Sequence, residues 1–371
     1  MNHHDLIELC YGPVTPILSK ALRSQIIAEK GNILYGGDFA NIEGRLNAWF
    51  SGEIWKLDAF NAFDGGRGED LYCVAYARSF GCAVQDVARN QRQIGKTQEL
   101  ACGYQGSIGA WLRFDPQPTI VTRVIKEQFF NTDSWAKASA QYDQARNHLG
   151  LEPDQWIAIK IVINSWRESN PRITQGWWDL QDAAIEAVGA PGAVVDVLGG
   201  KVRYLSAEGF LWCRLPSGKL LAYARPRLVE RRDDYLIDAE GNVFPAEEFD
   251  ADETKDRLAQ GAKLEKGRVR TSVAFEGRNQ KTKVWGTQYL YGGLQTNNIV
   301  QGAARELLRF AMHNIEPRYP IVLHVHDELV SEVDEAFGSV AEYQFLMSVI
   351  PPWLANLPLS AKAWSAKRYI K

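Results

Sequence analysis

The stretch IVLHVHDELVSEV, Ile321 to Val333, decides how the chain is read. Ile321, Leu323 and Val325 alternate with Val322, His324 and His326, so one side is apolar, as in a half-buried strand. Asp327 and Glu328 then arrive together at a turn, and Leu329 and Val330 resume the apolar pattern. Two adjacent carboxylates repel one another where water is scarce. A divalent cation would relieve that repulsion. A surface hairpin with an acidic tip is the commoner fate of such a pair, and the apolar flanks count against it.

Working outward, a second carboxylate occupies a related setting. In GGDFANIEGRL, Gly36 to Leu46, a short strand from Asn32 to Gly37 leads into Asp38. Helical spacing follows from Ile42 to Phe50, with Ile42, Leu46 and Trp49 on one face. An aspartate at a strand end before a chain reversal is well placed to hold a metal. Asp38 could equally cap the helix, with Glu43 favouring its N-terminus. Upstream, Lys20 to Lys30 reads as a helix stopped by Gly31.

Between the two carboxylate segments lies RNQRQIGKTQELACGYQG, Arg89 to Gly106. Arg92, Lys96, Leu100 and Tyr104 are spaced by four, along one side of a helix over roughly 18 Å. Two cations one turn apart suit a polyphosphate; the aliphatic and aromatic residues beyond suit a sugar and a base. A basic amphipathic surface helix is the plainer alternative. On a later helix, Asn297 to His313, a stripe of Asn297, Gln301, Arg305 and Arg309 suits groove edges and phosphates, or an ordinary solvated face.

The rest of the pattern is mixed. A glycine-rich charged loop spans Asp64 to Asp70, and Asp86 to Phe130 is mostly helical. Helices run from Asp154 to Ser169, stopped by Pro171, and from about Ile173 to Val188; their Trp156, Trp166, Trp177 and Trp178 read as packing core. Val202 to Arg231 alternates around a turn at Pro216-Ser217-Gly218, which predicts hairpins. Asp233 to Asp256 is acidic and reads as a solvated insertion, and Lys263 to Arg270 is basic.

Composition narrows the class. The 371 residues, 46% hydrophobic and 23% charged, suit a globular chain with room for two or three domains. No apolar run approaches a bilayer span, and MNHHDLIELCYG lacks the pattern of a signal peptide, so a cytoplasmic protein is expected. Cys10, Cys73, Cys82, Cys102 and Cys213 show no paired spacing and read as free thiols. The net charge of −3 neither announces nor excludes nucleic acid.

Taken in order, DFANIEGR, RQIGKTQELACGYQG and VHDEL resemble motifs A, B and C of the family A DNA polymerases, most of all the bacteriophage branch. WRESNPRITQGWW and YGGLQTNNIVQGAARELL resemble that branch's linking segments, so the likeness covers nearly the whole chain from about Pro16. The resemblance implies an α+β right-hand polymerase core with an antiparallel palm sheet and helical fingers. The expected divisions are palm over 1–85 and 296–371, fingers over 86–188, and β-rich hairpins over 189–295. It implies two Mg2+ ions on Asp38 and Asp327, with Glu328 in the catalytic set. Arg92 and Lys96 would hold the triphosphate of a dNTP, with Leu100 and Tyr104 completing the nucleotide site. Glu43 would crowd the sugar 2′ position. Asn297, Gln301, His326 and Arg45 would touch or support primer–template DNA.

Leu100 stands where the family usually has Phe or Tyr, which puts discrimination against dideoxynucleotides in doubt. Glu99 stands where many members have asparagine, and Tyr72 where histidine is frequent. Only about 37 residues precede Asp38, too few for a thumb or proofreading exonuclease domain. The expectations are therefore a fragment of a longer polymerase, a polymerase core lacking both, or a split-polymerase or non-catalytic subunit that binds primer–template DNA beside a partner chain carrying them. A primase on the same scaffold is a third reading, opposed by Glu43.

Overall fold

The computed structural model describes residues 25–370 except 146, 233, 240, 242, 247–250, 268, 280 and 281; before residue 25 it describes only 6, 8–10, 12, 14 and 15. The chain forms two compact units, Met1–Arg45 with Ala303–Lys371, and Leu46–Gly302. Both mix helices with antiparallel sheets.

In the first unit, β1 (Asn32–Phe39) is an inner strand of a four-stranded antiparallel sheet. Its neighbours are β12 (Glu328–Asp334) and β13 (Ala361–Ala366), and β11 (Ile321–Val325) closes the far edge. One face carries Tyr35, which packs on Tyr319 and Tyr343 at ring distances of 5.2 and 5.9 Å, beneath helix α12 (Val340–Met347). The opposite face buries Leu34, Val330 and Tyr369 together. The helix expected over Lys20 to Lys30 is not formed in its described part, and 20–24 lie outside the described residues. Ile27 instead bridges to Arg368, and Ala28 N–H donates to the Lys367 carbonyl at 2.9 Å. Pairing with a distant segment outweighs the local helical spacing.

The second unit holds helices α1 (Ile42–Ser51, which begins in the first unit), α2 (Ile54–Asp64), α3 (Leu71–Phe80), α4 (Arg89–Cys102), α5 (Ile108–Phe114), α6 (Thr119–Phe129) and α7 (Asp133–Gln144). They are followed by α8 (Pro153–Ser169) and α9 (Pro171–Gly189), the latter with proline in its first turn, where its missing N–H costs nothing. Helix α8 is apolar around most of its circumference, burying Trp156, Ile159, Val162, Ile163 and Trp166, as befits the centre of a bundle. Trp166 stacks on Trp177 at 6.1 Å. Trp178, expected in that core, is half exposed: it follows Trp177 on α9 and so points away from the buried face.

Beyond α9 a six-stranded antiparallel sheet runs in the order β10-β9-β5-β4-β3-β2. Its strands are β2 (Val194–Val197), β3 (Val202–Ala207), β4 (Phe210–Arg214), β5 (Leu220–Arg232), β9 (Val269–Arg278) and β10 (Trp285–Leu290). The hairpins expected over Val202 to Arg231 are β3, β4 and β5. Helix α9 lies against this sheet. The first part of α11 (Gly292–Ile315) bonds to its buried tyrosines: Tyr204 donates to Gln295 at 2.6 Å, and Asn298 donates to the Tyr223 hydroxyl at 3.1 Å. The acidic insertion has structure of its own. Within it β6 (Tyr235–Ile237) and β7 (Val243–Pro245) pair, β8 (Lys263–Glu265) adds to β6, and α10 (Ala251–Ala259) intervenes. Residues 233, 240, 242 and 247–250 of that insertion lie outside the described residues.

One buried ion pair ties the helical part together. Lys56 of α2, 2% exposed, donates to Glu99 of α4 at 2.8 Å, and Trp166 Nε1 donates to the same carboxylate at 2.8 Å. The Lys56 ammonium also lies 5.2 Å from the Trp55 and Trp166 rings. Removing one partner leaves the other charge buried and alone. Lys56→Met should therefore destabilise the chain by about 3–5 kcal/mol, and the double change Lys56→Met/Glu99→Leu by clearly less. Urea unfolding of the three proteins measures this; equal losses in the single and double variants would show that the pair carries no such coupling.

Candidate active site

The carboxylates of the first unit are brought together by strand register. Asp38 is directly opposite Glu328 on β12 and Lys362 on β13, so all three share one face. Val325 pairs with Glu328, leaving His326 and Asp327 as the two-residue loop of a hairpin. Of these two, His326 has the positive φ, +54°, the sign pattern of a type II′ turn. The apolar alternation in β11 is present as read, with residues 321, 323 and 325 half-buried and 322 and 324 exposed.

Asp327 and Asp38 are each half-buried, whereas Glu328 is only 2% exposed. Glu328, expected in the catalytic set, is covered on that face. Its carboxylate accepts from the Tyr369 hydroxyl and, at 3.4 Å, from Trp364 Nε1. It fixes the root of the loop that carries Asp327. The glycines before Asp38 make this possible. Gly36 faces Trp364 in the register, and a Cβ there would overlap the indole ring. On the other side of the strand, a Cβ on Gly37 would come within 2.7 Å of Met347 Sδ. The strand must be bare at both positions to pass between the indole and α12.

Glu43 is exposed in the first turn of α1. Arg45, read as touching or supporting primer–template DNA, is 1% exposed. It donates to the backbone carbonyls of Ala40 (2.6 Å) and Pro358 (3.0 Å), so it braces the chain reversal after β1 from within.

In the second unit, α4 presents Lys96 and Leu100 to solvent, Leu100 being 44% exposed, while Ile94, Thr97, Gln98 and Ala101 face inward. Arg92 is partly exposed and pairs with Asp70 at 2.9 Å over the Tyr72 ring. The bond to Asp70 holds the guanidinium pKa above its usual value, and burial, then Asp70, raises that of Tyr72. Asp70 also caps α3, accepting from the Tyr72 and Cys73 amides. The helix ends at Cys102, so Tyr104 is not on it: Tyr104 lies in the following turn, against the start of α11. Gln301 on α11 is exposed and Asn297 half-buried.

The residues that sequence reasoning missed are the supports: Lys56 beneath α4, and Lys362, Trp364 and Tyr369 around the carboxylates. None shares a motif or a local spacing with the groups it serves. Among the described residues, no group of three or more His, Cys, Asp or Glu is disposed to hold a metal unaided. Mg2+ does not need one, because one or two carboxylates, waters and substrate phosphates complete its shell. The oxygen donors of Asp38 and Asp327 are chemically suited to that ion. Among the described residues, no helix is long and apolar enough to cross a membrane.

The DNA polymerase of Bacillus phage SP02 is 29% identical over 373 residues, covering 100% of this chain and 46% of the phage protein. The chain thus spans less than half of that relative's length. The POL domain of Pol1 from M. smegmatis, solved in complex with DNA primer-template and dNTP, aligns over 94% of this chain and 42% of its own. The identity is 16% and the TM-score 0.46. No family model matches the chain.

The seating of Trp364 on Gly36 is open to test. Gly36→Ala should lower stability by about 1–3 kcal/mol through overpacking, read as a reduced thermal midpoint. An unchanged midpoint would mean that the indole does not lie over β1.

Proposed function

We propose that the chain is the catalytic core of a template-directed DNA polymerase, adding deoxynucleotides to a primer 3′-hydroxyl. The observation that carries this is the register that sets Asp38 opposite Glu328, next to the His326–Asp327 loop. The likeness to a phage DNA polymerase, which covers the whole of this chain and 46% of that protein, supports it.

On this reading the four-stranded sheet is the palm and α4 belongs to the fingers. Asp38 and Asp327 would hold two Mg2+ ions, whose chemistry when bound is to acidify the primer hydroxyl and neutralise the departing pyrophosphate. Glu328 keeps the Asp327 loop in place through its bonds to Tyr369 and Trp364. His326 at the same loop, with Asn297 and Gln301 on α11, would meet primer–template DNA. Lys96 would meet the triphosphate directly. Arg92 would first exchange Asp70 for phosphate. That exchange is inexpensive, because both partners are about two-fifths exposed and such pairs contribute ~1 kcal/mol or less. Leu100, one turn beyond Lys96, would meet the sugar, and Tyr104 the templating side. Glu43 would exclude a ribose 2′-hydroxyl.

Primer extension with Mg2+ and dNTPs tests this. The native chain should extend a primed template, and Asp38→Ala or Asp327→Ala should each reduce the rate by about a thousandfold. A native chain that adds no nucleotide, alone or with a thumb-bearing partner chain, sinks the reading. Separately, Glu43→Ala should raise ribonucleotide incorporation relative to deoxynucleotide incorporation in the same assay; an unchanged ratio would remove Glu43 from sugar selection.

A further inference from the structure

The six-stranded sheet of the second unit has two unlike faces. Tyr204, Leu211, Cys213 and Tyr223 are all buried on the inner face. The outer face can be followed across the register. Trp285 pairs with Arg278, Thr287 with Glu276 and Tyr289 with Ala274, which in turn pairs with Arg227. Further along, Phe210 pairs with Ala224, Trp212 with Ala222, and Arg214 with Arg203. These residues therefore share one side; Ala274 on it is buried, and the rings face solvent, Trp285 being 65% exposed, Tyr289 39% and Phe210 36%.

Two features set this face apart from an ordinary solvated sheet. The first is its aromatic content. Phe210 and Trp212 lie 5.0 Å apart on β4, and Trp285 and Tyr289 share the outer side of β10. Large aromatic rings left in water are unfavourable unless something covers them. The second is its charge. Arg203, Arg214, Arg227, Arg231, Arg270 and Arg278 lie on this side, against the carboxylates of Asp196 and Glu276, which pair with Arg203 and Arg227. Two arginine pairs, Arg203 with Arg214 and Arg231 with Arg270, are directly opposite across neighbouring strands. Arg203 is held by Asp196, and positive charge so concentrated on one side suits a polyanion. The Arg231 guanidinium also lies 3.8 Å from the centre of the Tyr289 ring, a ready-made layer on which a planar group can stack.

Rings for stacking, interleaved with arginines on an open sheet, are what an unpaired nucleic-acid strand requires. A duplex hides its base faces and would leave the rings unused. We infer that the outer face of the six-stranded sheet binds single-stranded DNA. The stacking and phosphate argument stands on this face alone; the choice of DNA over RNA rests on the polymerase reading.

The test is fluorescence anisotropy of a labelled oligo(dT) with the Asp38→Ala/Asp327→Ala chain, which measures binding without any turnover. Trp285→Ala/Tyr289→Ala and Arg214→Ser/Arg278→Ser, each added to that background, should raise Kd by about tenfold. The arginine variant should also flatten the salt dependence by about 1.4 in log Kd against log salt. Circular dichroism melts of the variants should match the parent, which separates lost binding from lost folding. Photo-cross-links from 4-thiothymidine should fall on peptides containing Phe210 to Trp212 or Trp285 to Tyr289. The inference is overturned if the parent does not bind oligo(dT), if Kd is unchanged in both variants, or if cross-links fall only elsewhere. It is also overturned if oligo(rU) binds more tightly than oligo(dT).

Discussion

The first unit depends on one steric constraint, the passage of β1 beneath the Trp364 indole. Only a strand without side chains at 36 and 37 fits between that ring and α12. Because the ring can lie there, its Nε1 reaches Glu328 on the next strand, where Tyr369 donates as well. A carboxylate so deeply buried is costly without such donors. With them, it becomes a fixed point from which the two-residue loop departs. The half-buried carboxylates of Asp38 and Asp327 thus stand on an arrangement that is buried more deeply than they are.

The second unit uses the same division of labour on α4. Its solvent side offers Arg92, Lys96 and Leu100, while its underside is held by Lys56 and Trp166 at Glu99. The two ion pairs on this helix differ in kind. Lys56 with Glu99 is hidden from water and cannot be exchanged cheaply. Arg92 with Asp70 is at the surface, where water and any incoming anion compete for both partners. One holds the helix; the other holds a cation in waiting. The asparagine-to-glutamate departure noted at Glu99 has its physical account in Lys56, which needs a negative partner.

Much of the fold was legible from periodicity. The β11–β12 hairpin, the helices around Pro171 and the hairpins about Pro216-Ser217-Gly218 each follow from local patterns of period 2 or 3.6. What failed was decided by distant partners. Residues 25–30 looked helical, but pair with the segment that ends at Tyr369. Tyr104 kept the spacing of four without a helix beneath it, since α4 stops two residues earlier. Arg45 carries a charge that looks available for DNA until its carbonyl partners are seen. For the site, the carboxylates were visible as types and spacings. Their neighbours Lys362, Trp364 and Tyr369 were not, because β-sheet register joins positions with no sequence relation.

The placement of β1 also orders events during synthesis. Asn32 bonds to Glu332, 300 residues further on, and both strands that flank β1 are made only after the whole second unit. A ribosome therefore releases the 46–302 portion while β1 still has two unpaired edges. Such edges are open to pairing with other chains, and domains tend to fold as units as they emerge. The glycine pair that suits β1 to its place beneath Trp364 also makes it a weak strand by itself. That weakness is an advantage during the interval, when a strand eager to pair has no correct partner to find.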